Sequence, residues 1–250
     1  MNIQLLRHAT LGLTYAGITI LVDPMFSDAG ANPPIVNSAN DRRNPLVPLP
    51  DAASGWLAPN ALLVTHLHRD HWDDAAAAAI AKETPVLCQP VDEAAFQAAG
   101  FADVTPVERT LQLRGITVTR TGGRHGTGEI GERMGPVSGF VLQAEGHPAL
   151  YIAGDTIWCD EVAEALDAFR PAVTIVNAGG ARFTVGDPIT MNEDDVIQVC
   201  RYAPYTKVIA VHMDSINHCL VTRSDLRARL EAEGCLDRVS LPEDGAFVRI

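Results

Sequence analysis

Thr65-His66-Leu67-His68-Arg69-Asp70-His71-Trp72-Asp73 is the stretch whose reading decides the rest of the chain. Three of the eight histidines and a carboxylate fall within six residues. Shuffling an ordinary composition produces H-x-H-x-D-H in on the order of one chain in a thousand. A solvated, charged loop with fortuitous histidines is therefore the poorer reading. Upstream, Ala61-Leu62-Leu63-Val64 is apolar and predicts a buried strand. Downstream, the alanine-rich run 73–81 predicts a helix with Asp73 or Asp74 near its cap. The histidines thus occupy a loop at the C-terminal end of a strand. Residues two apart in extended chain point the same way, so His66 and His68 can grip one cation together. Asp70 and His71 follow where the chain turns toward the helix and can face a second cation alongside. Imidazole with carboxylate fits a two-metal site of the hydrolytic kind better than a closed structural zinc, which favours cysteines.

Working outward, strand signals are many and short. Residues 3–6 and 18–22 read as a first pair, with 14–17 near their turn, and the second of them ends in Asp23-Pro24. Residues 27–55 are rich in Pro, Asn, Gly and Ser and form a long loop, of the kind that is functional or mobile in a compact domain. Arg42 and Arg43 lie in it. They are candidates for holding an anionic substrate group, against the plainer reading of a solvated basic pair. A strand at 85–88 and a short helix at 92–99 follow. A hairpin spans 111–113 and 116–120, then comes Thr121-Gly122-Gly123-Arg124-His125-Gly126-Thr127-Gly128. Glycines there let the backbone bend so that the His125 imidazole can reach a site.

Residues 140–144 and 149–152 predict a second hairpin, which makes His147 a turn residue. Its second strand runs into Gly154-Asp155-Thr156, where a carboxylate at a strand end is well placed to bridge two cations. A helix at 160–170 stops at Pro171 and a buried strand follows at 173–176. Residues 181–191 form a second loop that borders the same end of the molecule. A helix starting at Asn192 or Glu193 runs to Tyr202, and the strand 207–211 delivers His212, the natural partner of Asp70 and His71. His218, six residues on, reads as a pocket acid–base group or a structural histidine. A helix at 224–233 ending at Gly234 and strands at 239–241 and 246–250 close the chain. Strands interrupted by helices in both halves predict two mixed sheets packed together with helices outside.

T-H-x-H-x-D-H after an apolar strand resembles the signature of the metallo-β-lactamase superfamily, and further stations of that pattern occur in order. Val22-Asp23-Pro24 resembles the first, a structural aspartate. Gly123-Arg124-His125-Gly126 resembles the third, Ala153-Gly154-Asp155-Thr156 the fourth and Val211-His212 the fifth. The resemblance spans nearly the whole chain. It implies an α/β (α+β) fold, a four-layer αββα sandwich, with residues 1–250 as a single domain. By the same resemblance His66, His68 and His125 hold one metal, Asp70, His71 and His212 hold a second, and Asp155 bridges. The implied cofactors are two divalent ions, Zn first, with Mn or Fe also admitted by the ligands. The implied activity is hydrolysis by a hydroxide shared between the metals, with Asp70 as the catalytic residue that orients it or accepts its proton. Arg7-His8-Ala9-Thr10 resembles a G-H-A-T segment of some branches, which makes His8 a residue supporting the site or lining its pocket, against the plainer reading of a structural histidine. Together these features look most similar to the branch containing L-ascorbate-6-phosphate lactonase and N-acyl-phosphatidylethanolamine phospholipase D. A small ester, lactone or phosphodiester, with an anionic group admitted, is the expected substrate. The alternative is a metal-binding sensor or assembly protein on the same fold that no longer turns over substrate, against which the intact Asp70 and Asp155 weigh.

Composition narrows the partners. A chain of 250 residues with 47% hydrophobic and 20% charged residues describes a globular protein with a large core. No apolar run approaches the length that spans a bilayer. The N-terminus lacks a basic region followed by an apolar core, so no secretory signal is read there. Five scattered cysteines, odd in number and without a C-x-x-C pair, read as reduced thiols of a cytoplasmic protein. A net charge of −12 speaks against nucleic acid as a partner. A small-molecule substrate is expected, and a homo-oligomer is left open.

Overall fold

The computed structural model describes residues 1–248. Two seven-stranded sheets form its centre. In the first, β1 (Asn2–Arg7), β2 (Thr10–Tyr15), β3 (Ile18–Val22), β4 (Ala61–Val64), β5 (Val86–Cys88) and β6 (Val104–Pro106) lie side by side in chain order. Pairing is antiparallel as far as β3 and parallel from there to β6. The second sheet repeats the logic with β7 (Thr110–Leu113), β8 (Ile116–Thr121), β9 (Gly139–Gln143), β10 (Leu150–Ile152), β11 (Val173–Asn177), β12 (Lys207–Val211) and β13 (Val239–Ser240). It is antiparallel to β10 and parallel beyond. The last strand, β14 (Phe247–Val248), returns to β1. The remainder of the strand expected at 246–250 lies outside the described residues.

Both sheets are apolar on both faces, so their strands read as continuous hydrophobic runs. Alternation then sorts the side chains by layer. Ile20, Val22 and Leu63 point inward with Phe140, Leu142, Ile175 and Val211 of the other sheet and form the core between the sheets. Their neighbours Leu21, Leu62 and Val64 point outward, where α1 (Asp74–Ala79) and α2 (Glu93–Ala98) bring Ala76 and Phe96. α3 (Gly128–Met134) buries none of its residues. On the far side Val141, Tyr151, Val176 and Ala210 meet α4 (Asp160–Phe169), α5 (Glu193–Tyr202) and α6 (Arg223–Ala232) through Leu166, Val196 and Leu230. The four layers are those the family resemblance implies. Truncating one of these buried leucines to alanine costs about 2–5 kcal/mol.

Three elements differ from expectation. Residues 3–6 and 18–22 do not pair with each other, because β2 lies between them and bonds to both. Gly12 at its centre hides the strand in the sequence. In space Gly12 is where the Trp56 ring lies against the sheet, and a Cβ there would run into the indole. The short β6 and α3 carry no clear local signal, and Gly128 and Gly131 of α3 are poor helix formers. The long loop at 27–55 contains one 3₁₀ turn, Asp51–Trp56, and is stapled rather than free. The buried Arg7 guanidinium donates to the carbonyls of Met25, Ser27 and Val47. Asn217 exchanges hydrogen bonds with Ile35, Asn40 and Asn44. All five cysteines are free. No helix among the described residues is long and apolar enough to cross a membrane.

Candidate metal centre

Strand ends deliver every candidate donor to one end of the sandwich. The first sheet contributes His8 after β1, Asp23 after β3 and residues 66–71 after β4. The second contributes Asp155 after β10 and His212 after β12, while His125 sits between β8 and α3. His8, Asp23 and His212 leave their strands with φ of 61°, 44° and 69°. This left-handed conformation costs a non-glycine residue about 1–3 kcal/mol, and such strain gathers at functional sites.

The donors fall into sets. His66, His68 and His125 form one, and Asp70, His71 and His212 form another, which His8 joins. A third, His66, His71 and Asp155, overlaps both and puts Asp155 between them. His125 Nε2 lies 3.2 Å from His68 Nδ1 and 3.5 Å from Asp155 Oδ2. His71 Nε2 lies 3.2 Å from Asp155 Oδ2 and 3.2 Å from His212 Nε2. His212 Nε2 is 3.3 Å from Asp155 Oδ1 and 3.5 Å from Asp70 Oδ2. Donors held tetrahedrally at 2.0–2.1 Å from a zinc ion would stand about 3.3 Å apart. Meanwhile His66 Nε2 is buried without any hydrogen-bond partner. The residues therefore fit cations at their centre better than they fit one another.

Electrostatics agree. At His71 burial opposes the charged ring, but Asp155, Asp23 and Asp70 outweigh it and raise the imidazole to about 10. At His212 burial is likewise outweighed, by Asp155 and Cys219 first, and the ring is held well above its ordinary value. Asp70 and Asp155 are buried, which would favour the neutral acid. The facing rings of His71 and His212 reverse that and keep both carboxyls far below the carboxylate range. Burial keeps His8 (about 3), His66 and His125 (about 4) neutral. The two carboxylates are thus balanced by ring protons that a divalent cation would displace.

Hydrogen bonds behind the donors set their tautomers. Asp23 Oδ2 accepts from His71 Nδ1 at 2.8 Å and from Thr65 Oγ1 at 2.7 Å, and Asp23 Oδ1 accepts from Thr65 N. With its own proton committed, Thr65 Oγ1 accepts from His66 Nδ1 at 3.1 Å. One buried aspartate therefore turns the Nε2 lone pairs of two histidines inward. The Ile189 carbonyl does the same for His125, accepting from Nδ1 at 2.7 Å. Asn177 donates to Asp155 Oδ1 at 2.6 Å. His8 Nε2 donates to Asp70 Oδ2 at 3.1 Å, its ring lies 3.6 Å from that of His212, and its carbonyl accepts from His212 N. Sequence reasoning did not single out Thr65, Asn177, the Ile189 carbonyl or Arg69. Thr65 and Asn177 stand at strand ends, which was the available signal. Cys219, whose place near His212 and His218 in the sequence marks it as a supporting residue and not a ligand, has its Sγ 3.5 Å from His212 Nδ1.

Neither Arg42 nor Arg43 bonds to any of the donors. Arg43 is exposed and donates to the carbonyls of Gly30 and Ala31, so it closes its own loop. Arg42 is exposed, and only its backbone N–H has a partner, the Asn40 side chain. The arginine beside Asp70 is Arg69, on the wall of a small hollow of about 30 Å³ whose other walls include Met25, Pro33, Ile35 and Ile216. His218 is buried beside Cys219, with its Nδ1 unpartnered and its ring 6.3 Å from Phe183. Burial there is outweighed by Cys219, and the ring titrates above its ordinary value. Met191 belongs to the core under α5, and Trp158 packs on Tyr202.

Comparison with known proteins matches residues 19–213 to the β-lactamase superfamily domain. The UPF0173 protein YddR of Bacillus subtilis is 34% identical over 250 residues, covering 98% of both chains. A UPF0173 metal-dependent hydrolase of Azorhizobium caulinodans is 26% identical over 98% of both. Among solved structures, an isothiocyanate hydrolase from Delia radicum gut bacteria superposes with a TM-score of 0.95 at 34% identity, covering 100% of this chain and 99% of that one.

Proposed function

From a chain that belongs to the metallo-β-lactamase superfamily and is one of its metal-dependent hydrolases, we propose a binuclear enzyme, one domain over residues 1–250, acting on a small uncharged electrophile. The observation that carries this reading is the position of Asp155 between two sets of donors. His66, His68 and His125 would hold one cation, Asp70, His71 and His212 the other, and Asp155 both. Zinc suits three imidazoles best, and the carboxylates also admit manganese or iron. When bound, the cations supply Lewis acidity and bring the pKa of the attacking water from near 16 toward about 7.

The chain's own residues do the rest. Asp70 is the one carboxylate of the cluster that reaches the hollow. Its Oδ2 faces His8, His71 and His212, which leaves Oδ1 to orient the water and take its proton. His8 fixes that carboxylate by donating to Oδ2. Asp23 and Thr65 hold His71 and His66 with their lone pairs turned to the cations. Met25, Pro33, Ile35 and Ile216 exclude bulk water above Asp70.

Arg69 apart, the side chains beside Asp70 are mainly apolar, Met25, Pro33, Ile35 and Ile216, which favours a neutral substrate over a phosphodiester. The 34% identical isothiocyanate hydrolase makes R–N=C=S the first class to test. There water oxygen adds to the central carbon, the C–N bond breaks, and both water protons end on nitrogen, giving an amine and carbonyl sulfide. The experiment is metal content of the protein purified without added metal, with turnover of methyl and benzyl isothiocyanate, a lactone and a phosphodiester. About two metals per chain and chelator-sensitive turnover of a neutral substrate are expected. Full activity at one metal per chain, or turnover that survives chelation, removes the binuclear reading.

A further inference from the structure

A cavity of about 590 Å³ opens beside the metal centre, between α3 and the loop at 183–185. Its apolar walls are Ile130 and Met134 from the helix and Phe183 and Val185 from the loop. Val185 is 75% exposed, a large apolar side chain held out into solvent. The charges on the helix wall, Glu129 and Arg133, are of opposite sign, so the cavity selects for neither anions nor cations. It is joined to the donors by two shared walls. Met134 also lines the hollow of about 170 Å³ that contains His66 and His68. Thr127 also lines the groove that contains His125. Gly186, at φ 94°, lets the loop close on Ile130, whose Cδ1 a Cβ would strike.

The volume is that of a small-molecule site. A seven-residue helix and a three-residue loop segment offer far less surface than a stable protein interface needs. We propose that this cavity receives the apolar organic group of the substrate, a branched alkyl or aryl substituent, while the reacting carbon lies at the donors on the side of His66, His68 and His125. This rests on the hydrolase reading and adds the part of the substrate that the enzyme selects. Filling or emptying such a pocket by one group changes discrimination by about 10–200-fold.

The test uses the metal-loaded protein and two filling variants, Ile130→Trp and, on the exposed loop where folding is not at stake, Val185→Trp. Two readouts are taken. The first is the ratio of kcat/KM for benzyl over methyl isothiocyanate, which should fall at least tenfold in both variants at unchanged metal content. The second needs no turnover: the ¹⁹F signal of 4-fluorobenzylamine, the aryl product analogue, should broaden with the wild type and sharpen with the variants. An unchanged ratio, or fluorine broadening that the variants leave intact, overturns the cavity assignment. If neither substrate turns over, the reaction assignment fails by itself, and the fluorine result alone decides the cavity.

Discussion

Replacing Asp23 with asparagine tests how the metal centre is held, because the change is nearly isosteric and the consequences are directional. Asp23 Oδ1 accepts from Thr65 N, and an amide oxygen can keep that bond. Oδ2 accepts from both His71 Nδ1 and Thr65 Oγ1. An amide NH₂ there faces two donors. His71 must then move its proton to Nε2, the atom that faces Asp155 and His212, and Thr65 must turn its hydroxyl, which releases His66. Loss of one such supporting hydrogen bond lowers metal affinity by about 10–100-fold. Because Asp23→Asn disturbs two histidines from different donor sets, the upper figure is expected at both positions, about 2.7 kcal/mol each. The assay is stepwise zinc titration against a chromophoric chelator, with Thr65→Val as the companion. Thr65→Val removes the hydroxyl that joins Asp23 to His66 and leaves the His71–Asp23 bond in place, so it should weaken the His66–His68–His125 position and spare the other. Unaltered affinity in Asp23→Asn, or equal loss at both positions in Thr65→Val, would refute the idea that Asp23 sets two tautomers through separate arms.

Asp70→Asn should keep the fold and lower kcat by about 10²–10⁴-fold, the usual range for a lost proton acceptor; unchanged kcat at full metal occupancy ends that role for Asp70. Chelation should lower the melting temperature. A cation present at a thousand times its Kd stabilises by about 4 kcal/mol, on the order of 10 °C for a chain this size, and calorimetry with and without chelator checks it. The metal-free protein should be most stable near pH 6.5. His8 (about 3) and His125 (about 4) lie below the unfolded histidine value, so the unfolded chain binds more protons there and stability falls as pH drops below 6.5. His71 lies above it at about 10, so its contribution is lost as pH rises from 6.5 through 10. Urea midpoints that stay flat from pH 4 to 9 would contradict both arms.

The chain's own pattern determined the strands, the two packed sheets and the clustered histidines, while the αββα layering and the full donor list came from the family resemblance. Hydrophobic runs bounded by turn residues mark strands because a sheet buried on both faces needs them. Histidines and aspartates stand out at the ends of those runs because a strand end is where a side chain can leave the core. Thus β4, β12 and the residues His66, His68, Asp70, His71, His125, Asp155 and His212 were legible, and the structure brings all seven together. Asp23 and His8 were also expected as supporting residues, but only the tertiary structure decided which donor each supporting group reaches. His8 reaches Asp70 across 62 residues and Asn177 reaches Asp155, neither at a spacing that any local period marks. The same holds for the strained φ of His8, Asp23 and His212, which packing imposes against local preference. Arg42 and Arg43 show the converse. Their charge suggested a substrate contact, but a guanidinium goes to the nearest unpaired carbonyls, and for Arg43 those belong to its own loop. Composition and period report what a residue prefers, and only the folded chain determines which partner lies within hydrogen-bond reach.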